Sequence, residues 1–301
     1  TIFELADRPE DTLEVDVVGS QWWWEFRYDL DGDGQDDVTT ANEMVIPADV
    51  PVNVDVTSAD VIHSFWIPSL NGKRDAVPNR TNELVIEADD PGSYWGQCTE
   101  YCGLSHANMR MRVIALEPAE YDEWLENQLA PADGDTLFGE AAEGRDLFTS
   151  QCSTCHLVRG VNDRETVLEN AEAAAEETGE PVDESSLTFN DGTALTVAGI
   201  APDLTHMMTR STFAGSLFRM YAQADDDDVA DRYLELPAEG TFNVQDMTRW
   251  LRDPTAVKPM APNAGPPTSD TPVDDRPRGM PNYELTEEQI DQLIAFLTTL
   301  D

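Results

Sequence analysis

The spacing of the hydrophobic residues changes part of the way along the chain. Between residues 12 and 116, short segments such as LEVDVVG, VPVNVDVTS and MRVIAL are rich in β-branched residues and are separated by turns containing Gly, Pro and Asp. From residue 139, the segments GEAAEGRDLFTSQC, NVQDMTRWLRDP and LTEEQIDQLIAFLTTL carry apolar residues at helical intervals. The sequence therefore predicts an all-β domain, of the sandwich or barrel type, followed by an all-α domain.

The boundary between the two domains is expected to follow a single helix. Residues 117–130, EPAEYDEWLENQLA, have a helical pattern and close the first domain, whereas PADGD, which follows, is typical of a linker. We therefore place the β domain at residues 1–130, the linker at 131–138 and the α domain at 139–301.

The charge of the chain is strongly negative, with 60 acidic residues, 18 basic residues and a net charge of −42. Because so acidic a chain repels phosphates, nucleic-acid binding is excluded. Acidic residues occur in nearly every loop, which favours a halophilic surface over a docking face for a cationic partner. Lys73 and Lys258 are the only lysines.

The motif CSTCH, formed by Cys152, Cys155 and His156, is typical of covalent c-type haem attachment. Two thiols three positions apart reach the two haem vinyl groups, and the next residue presents an imidazole to the iron. A redox dithiol has no need of the adjacent histidine, and zinc would need a second ligand pair downstream. Haem attachment in turn implies an extracytoplasmic location.

The sixth haem ligand is expected to be a methionine, because Met/His ligation raises the reduction potential. Met260 in KPMAP and Met280 in RGMPNYEL both lie in loops. Residues 139–301 resemble class I cytochromes c, in which the ligand methionine precedes the C-terminal helix in an M-P context. The resemblance favours Met280 and implies that the carbonyl of Pro202 orients the ligand imidazole.

The other two cysteines lie in GQCTEYCGLSHANM, residues 96–109. Oxidising conditions permit a disulfide between Cys98 and Cys102. However, His106 and Met109 follow at ligand spacing, and His63 lies upstream between strands. Thiolates, imidazoles and a thioether together select copper. Zinc bound by two cysteines and two histidines is the rival interpretation, although it leaves the methionine without a role.

These residues resemble the CuA motif of the cytochrome c oxidase subunit II family. The segments QWWWEFRYD, HSFWIPSLNGKRDAVPNR and GSYWGQCTEYCGLSHANM match the signature segments of that family over about residues 12–130. With its haem domain, the chain is similar to caa-type oxidases, whose subunit II carries its own cytochrome c. The resemblance implies a cupredoxin-like Greek-key barrel followed by a class I cytochrome c domain.

The resemblance also implies a role for each ligand. Two cysteines would bridge two copper ions, two histidines would be terminal ligands, and a methionine and one main-chain carbonyl would complete the coordination. In that order, these residues are Cys98, Cys102, His63, His106, Met109 and Glu100. The side chain of Glu100 would contact a magnesium or manganese ion at the interface with subunit I. Trp22 matches an exposed aromatic residue at which electrons enter.

A weaker metal motif lies in DLDGDGQDD, residues 29–37. Its aspartates stand around a glycine at the offsets of a calcium loop. The twelfth position holds a threonine instead of a glutamate, and flanking helices are not expected, so an acidic hairpin is the alternative. The candidate calcium ligands are Asp29, Asp31, Asp33 and Asp37.

The resulting hypothesis is an electron-input subunit of a terminal haem–copper oxidase. Electrons would pass from an external donor, a cytochrome or a quinol-oxidising complex, through haem c and CuA to subunit I, which reduces oxygen beside the other oxidase subunits. The family carries N-terminal membrane helices that this sequence lacks. The chain is therefore expected to be a soluble fragment of a protein at the periplasmic face of the bacterial cytoplasmic membrane.

Three alternatives differ in function. A nitric oxide reductase subunit stays open, because its catalysis would also lie in another chain. A nitrous oxide reductase would need a histidine-rich cluster, and the chain has four histidines. A structural zinc module is the third alternative, and metal content would decide it.

Overall fold

The described residues form two compact units, and neither unit is one continuous stretch of chain. The computed structural model describes residues 8–9, 12–33, 36–132, 137–179, 182, 201–222, 229–260 and 278–301. The first unit comprises Thr1–Ala130, Thr209–Asp246 and Thr255–Ala261. The second unit comprises Pro131–Met208, Met247–Pro254 and Pro262–Asp301. Residues 133–136 of the predicted linker lie outside the described residues.

The strands that the structure describes all lie in the first unit, and the helices lie in both. The strands are β1 (Leu13–Ser20), β2 (Trp23–Asp29), β3 (Val38–Ala41), β4 (Glu43–Pro47), β5 (Val52–Ser58), β6 (His63–Phe65), β7 (Arg74–Ala76), β8 (Asn82–Ile86), β9 (Gly92–Gln97), β10 (Arg110–Leu116), β11 (Thr212–Phe213) and β12 (Phe218–Arg219). The α-helices are α1 (Pro118–Leu129), α2 (Glu140–Gln151), α3 (Arg164–Thr178), α4 (Leu236–Glu239), α5 (Val244–Arg252), α6 (Pro254–Val257) and α7 (Glu287–Leu297). Short 3₁₀ helices span His106–Asn108, Met207–Thr209 and Ala230–Glu235.

The strands of the first unit form two main sheets. One sheet has the order β3-β2-β1-β5-β8, in which β1 and β5 run parallel and the other neighbours antiparallel. The second sheet has the order β4-β10-β9, with β4 parallel to β10. In β1, Val15 and Val17 are buried while the intervening residues are less so, which is the alternation expected of a half-buried strand.

A sharp corner at Asn42 carries the chain from the first sheet to the second. Asn42 has φ 62°, a left-handed conformation that asparagine tolerates, and its amide donates to the carbonyl of Trp24 at 2.8 Å. The hydroxyl of Tyr28 in β2 donates to the carbonyl of Val45 in β4 at 3.0 Å and so ties the two sheets together. Because the chain changes sheets at this corner, the described strands form two separate main sheets, as in the predicted sandwich, and not a closed barrel.

The second unit contains a close contact between α2 and α7. Phe148 and Phe296 stack with ring centroids 5.3 Å apart. At Gly144, a Cβ atom would lie 1.9 Å from the carbonyl oxygen of Gln292, so only glycine allows this approach. These helices agree with the predicted ones, while a complete class I cytochrome c domain stays a prediction. Among the described residues, no helix is long and apolar enough to cross a membrane.

Part of the predicted α domain belongs to the first unit, contrary to the boundary drawn from the sequence. Glu43 is 1% exposed, and its carboxylate accepts hydrogen bonds from the Ser211 amide at 2.9 Å and the Tyr233 hydroxyl at 3.0 Å. The Ser211 hydroxyl also accepts from the buried guanidinium of Arg112 at 3.0 Å. This buried network holds residues 209–246 in the first unit, across 168 positions of sequence from Glu43 to Ser211.

Replacing Glu43 by leucine is expected to lower the free energy of unfolding by about 3–5 kcal/mol, because the buried donors of Ser211, Thr212 and Tyr233 would lose their acceptor. Chemical denaturation followed by tryptophan fluorescence measures the change. The exposed Glu87→Gln variant is the control and should change stability by less than about 0.5 kcal/mol. A Glu43→Leu protein as stable as the control would contradict the importance of this network.

Candidate metal centre

Three chain segments of the first unit meet around the two cysteines of the ligand motif. His63 begins β6, Cys98 directly follows β9, and Met109 directly precedes β10. The Cys98 amide donates to the Met109 carbonyl at 2.9 Å, and the Thr99 amide donates to the Ser64 carbonyl at 3.0 Å. Main-chain hydrogen bonds therefore position Cys98 between the other two segments.

The structure brings together all of the predicted CuA ligands. The Sγ atoms of the two cysteines lie 3.7 Å apart and are not bonded. The remaining ligand distances are Cys98 Sγ to His63 Nδ1, 3.9 Å; Cys98 Sγ to the Glu100 carbonyl oxygen, 3.2 Å; Cys102 Sγ to His106 Nδ1, 3.6 Å; and Cys102 Sγ to Met109 Sδ, 3.7 Å. Two thiols, two imidazoles and a thioether within this space suit copper better than a hard cation.

Both cysteines are buried, and the hydrogen bond between their thiols favours the loss of one proton from the pair. Cys98 and Cys102 are 4% and 3% exposed, and Met109 is fully buried. The hydrogen bond between the thiols lowers the pKa of Cys98 and raises the pKa of Cys102. One proton therefore leaves the pair readily, and the resulting thiolate is the form that binds a metal.

Asp60 holds the ring of His63, and sequence reasoning missed this residue. The carboxylate of Asp60 lies 2.8 Å from His63 Nε2, which leaves Nδ1 directed toward Cys98. Burial lowers the pKa of His63, but the hydrogen bonds with Asp60 and Cys98 outweigh it and raise the pKa. The ring also packs against Gly19, where a Cβ atom would lie 2.9 Å from His63 Cδ2. The spacing D-x-x-H in ADVIH was the available signal.

Substitution Asp60→Asn is expected to weaken copper binding by about 10–100-fold, because it removes the charge that orients and polarises the His63 ring. Competition with a copper chelator measures the affinity. Asp89→Asn, at an exposed position, is the matched control and should bind copper like the unmodified chain. Equal affinities in the two variants would show that Asp60 does not support His63.

Trp22 contacts the ligand loop but is not exposed, contrary to the expectation from the family resemblance. Its side chain is 3% exposed, and its indole Nε1 donates to the Cys102 carbonyl at 3.0 Å. Its own carbonyl accepts a hydrogen bond from Lys258 at 2.6 Å. Hydrogen bonds at both the indole and the main chain hold Trp22 inside the first unit, which also includes Thr255–Ala261.

The residues of the haem motif lie together in the second unit. His156 Nδ1 lies 2.7 Å from the carbonyl oxygen of Pro202, the contact that the resemblance implies. Burial raises the pKa of Cys152 to about 12 and that of Cys155 to about 11. Burial, and then the two thiols, raise the pKa of Tyr283 to about 12.

The two candidate methionines fall in different units. Met280, three residues before Tyr283, belongs to the second unit with the CSTCH motif. Met260 belongs to the first unit. Both side chains are half-buried.

The aspartates of the calcium motif are only partly brought together. Carboxylate oxygens of Asp29, Asp31 and Asp37 lie within 4.8 Å of one another, and Asp33 is not among them. Asp29 and Asp37 also accept hydrogen bonds from main-chain amides of the same turn, at 2.8 and 2.7 Å. Gly34 lies outside the described residues. An acidic hairpin accounts for these contacts, and calcium binding stays a prediction.

Comparison with known proteins gives consistent matches. The sequence model of the family "Cytochrome C oxidase subunit II, periplasmic domain" matches residues 13–116. The protein named cytochrome c oxidase subunit 2 of Alkalihalophilus pseudofirmus is 31% identical, over 99% of this chain and 66% of that protein. The protein of the same name from Bacillus sp. strain PS3 is 28% identical, over 100% of this chain and 68% of that protein. The chain thus spans about two thirds of the length of these curated relatives.

A solved structure is also similar to part of the chain. The periplasmic domain of subunit II of cytochrome oxidase from Bradyrhizobium japonicum is 33% identical, over 40% of this chain and 95% of that one, with a TM-score of 0.37.

Proposed function

The chain belongs to the cytochrome c oxidase subunit II family, and we propose that it is the electron-input subunit of a terminal haem–copper oxidase. It would accept electrons from an external donor and deliver them, by way of a covalent haem c and a dinuclear copper centre, to the oxygen-reducing subunit I. The observation that carries the proposal is the cluster of two buried thiols, two imidazoles and a buried thioether around Cys98 and Cys102.

The residues of this cluster suit one-electron transfer. When bound, a copper pair would supply a redox couple whose charge is shared through the two bridging cysteines. Asp60 orients the His63 imidazole, and main-chain hydrogen bonds fix Cys98. Burial of Met109 keeps water from the thioether side. Because strands and main-chain hydrogen bonds hold the ligands, little rearrangement would accompany a change of charge.

The second unit supports a covalent haem c. The carbonyl of Pro202 accepts a hydrogen bond from His156 Nδ1 at 2.7 Å. This leaves Nε2 as the atom that would bind iron. Cys152 and Cys155 stay protonated near neutral pH because burial raises the pKa of each thiol.

Met280 is proposed as the sixth haem ligand, since it lies in the same unit as His156. Substitution Met280→Leu is expected to lower the reduction potential of the haem and to convert low-spin iron to high-spin iron. Redox titration and electron paramagnetic resonance measure the two changes. Met260→Leu is the matched control and should leave both unchanged. If Met260→Leu shows both changes and Met280→Leu shows neither, Met260 is the sixth ligand instead.

Other features of the proposal come from the family. The exposed side chain of Glu100 would contact magnesium or manganese beside subunit I, and Asp29, Asp31 and Asp37 are the residues that would hold calcium. Partners would be subunit I, the other oxidase subunits and the electron donor. The site of action would be the periplasmic face of the membrane.

The proposed function is tested by low-temperature electron paramagnetic resonance of the oxidised protein, with copper and iron counts. A multiline signal from one electron shared by two coppers, together with low-spin haem iron, is the expected result. A chain that takes up zinc, or whose cysteines form a disulfide, would give no copper signal and would overturn the proposal. Measuring whether the assembled complex consumes oxygen or nitric oxide would distinguish an oxidase from a nitric oxide reductase.

A further inference from the structure

Lys258 is a buried amine without an acidic partner among the described residues. It is 4% exposed, and its Nζ donates to the carbonyls of Trp22 at 2.6 Å and Ala214 at 3.3 Å. Burial lowers the pKa of Lys258 to about 7. The chain has 60 acidic residues and two lysines, so the pairing of one of these lysines with main-chain carbonyls needs an explanation. Burying an amine is costly unless its hydrogen bonds are well formed.

The residues beside Lys258 are joined to the copper-ligand loop. The carbonyl of Pro259 accepts a hydrogen bond from the hydroxyl of Ser105, which is fully buried and directly precedes the predicted ligand His106. At Gly215, a Cβ atom would lie 2.3 Å from Lys258 Nζ and 3.2 Å from the Asn108 carbonyl oxygen. The main chain at Gly215 therefore lies close to both Lys258 and the ligand loop. Residues 255–260 are thus fastened at two consecutive positions, one by a side chain and one by a carbonyl.

These contacts extend from Lys258 to a predicted copper ligand. Lys258 donates to the carbonyl of Trp22, and the indole of Trp22 donates to the carbonyl of Cys102. Trp22 is only 3% exposed. The lysine therefore fixes the main chain of the tryptophan whose side chain supports the metal loop.

We propose that Lys258 is a clasp that holds residues 255–260 against the main chain of Trp22, and that Trp22 is thereby inaccessible to electron carriers that are separate proteins. The second part of the inference rests on the proposed function and on the family resemblance, which implies that electrons enter at Trp22. A carrier protein must bring its cofactor close to the accepting side chain, and a tryptophan that is only 3% exposed cannot be contacted in this way. Electrons would then reach the copper site from the haem of the same chain, and a soluble carrier would be excluded at Trp22.

The clasp can be tested in the unmodified chain, with or without copper, by lysine acylation and peptide mass spectrometry. Lys73 is exposed and serves as the internal control. If the clasp must open before reaction, Lys258 should be acylated about 100-fold more slowly than Lys73. The low pKa of Lys258 would favour fast acylation, so slow labelling reports protection and not protonation. Equal rates would overturn the proposal.

The closure of Trp22 can be measured by hydroxyl-radical labelling. Trp95 is 36% exposed, and in the unmodified chain Trp22 should react about tenfold more slowly than Trp95. In Lys258→Met, which keeps most of the apolar stem and removes the amine, labelling of Trp22 should rise about tenfold relative to Lys73→Met. Retention of the multiline copper signal would distinguish local opening from unfolding.

Two results would overturn the closure. One is labelling of Trp22 as fast as that of Trp95 in the unmodified chain, a comparison that needs no variant to fold. The other is equally slow labelling of Trp22 in folded Lys258→Met and Lys73→Met proteins. Absence of a two-copper signal would overturn the proposed function instead, and the acylation result for Lys258 would stand independently of it.

Discussion

Cys102→Ser is expected to abolish the two-copper signal and to leave the covalent haem unchanged. Cys102 Sγ lies within 3.7 Å of three other predicted ligand atoms, those of Cys98, His106 and Met109. A serine hydroxyl is a harder ligand that does not ionise near neutral pH, so it cannot replace a bridging thiolate. Copper content should fall from two ions to one or none, and the shared-electron signal should disappear.

Met111→Leu is the matched control for this experiment. Met111 is buried two residues from Met109 but packs toward Gly96, where a Cβ atom would lie 2.6 Å from its Sδ. The substitution nearly conserves volume, so the fold and the copper signal should both persist. A multiline signal that survives Cys102→Ser, or that is lost in Met111→Leu, would contradict the ligand assignment.

The double variant Cys152→Ser, Cys155→Ser is expected to lose the covalently bound haem completely. Serine cannot form thioether bonds with the haem vinyl groups, so haem should be extracted when the protein is denatured in acid. Iron content and haem absorbance measure the loss. Because the copper ligands lie in the other unit, the two-copper signal should remain.

Ser153→Ala is the matched control for the haem experiment. Ser153 lies between the two thiols, and its exposed hydroxyl donates only to the main-chain carbonyl of Thr149. The alanine variant should retain covalent haem at the level of the unmodified chain. Covalent haem in the double variant would require another attachment site. Loss of copper with the haem would mean that the two sites do not assemble independently.

Local patterns predicted the parts of the structure that depend on neighbours in sequence. The strands β1, β5 and β10 and the helix α7 follow from the spacing of their apolar residues. Thr286 and Gln289 form the reciprocal hydrogen bonds of a capping box. The copper ligands on the loop 98–109 were also predictable, because four ligands at short spacing must share one loop.

Long-range contacts could not be predicted in the same way. The partner of Glu43 is 168 residues away, and a single sequence contains no periodicity that links Ser211 to β4. For this reason the sequence assigned residues 209–246 to the wrong side of the boundary. The family resemblance led to the expectation that Trp22 is exposed, and its contact with Lys258, 236 positions away, could not be predicted from local patterns. The rarity of lysine in the chain was the one available signal for Lys258.

The discontinuity of the first unit has a consequence for the order of synthesis. Its last segment, Thr255–Ala261, leaves the ribosome after the CSTCH sequence has already emerged. Strands β1 to β10 can pair early. However, the Trp22 carbonyl has no ammonium donor until Lys258 is translated, and the Glu43 carboxylate lacks the hydroxyl of Tyr233 until that residue is translated. Domains that are contiguous can fold one after another as they emerge, whereas this unit must wait for chain that follows the haem-attachment sequence. The first unit therefore cannot complete its buried hydrogen bonds until residue 258 has been translated, which is after the CSTCH sequence.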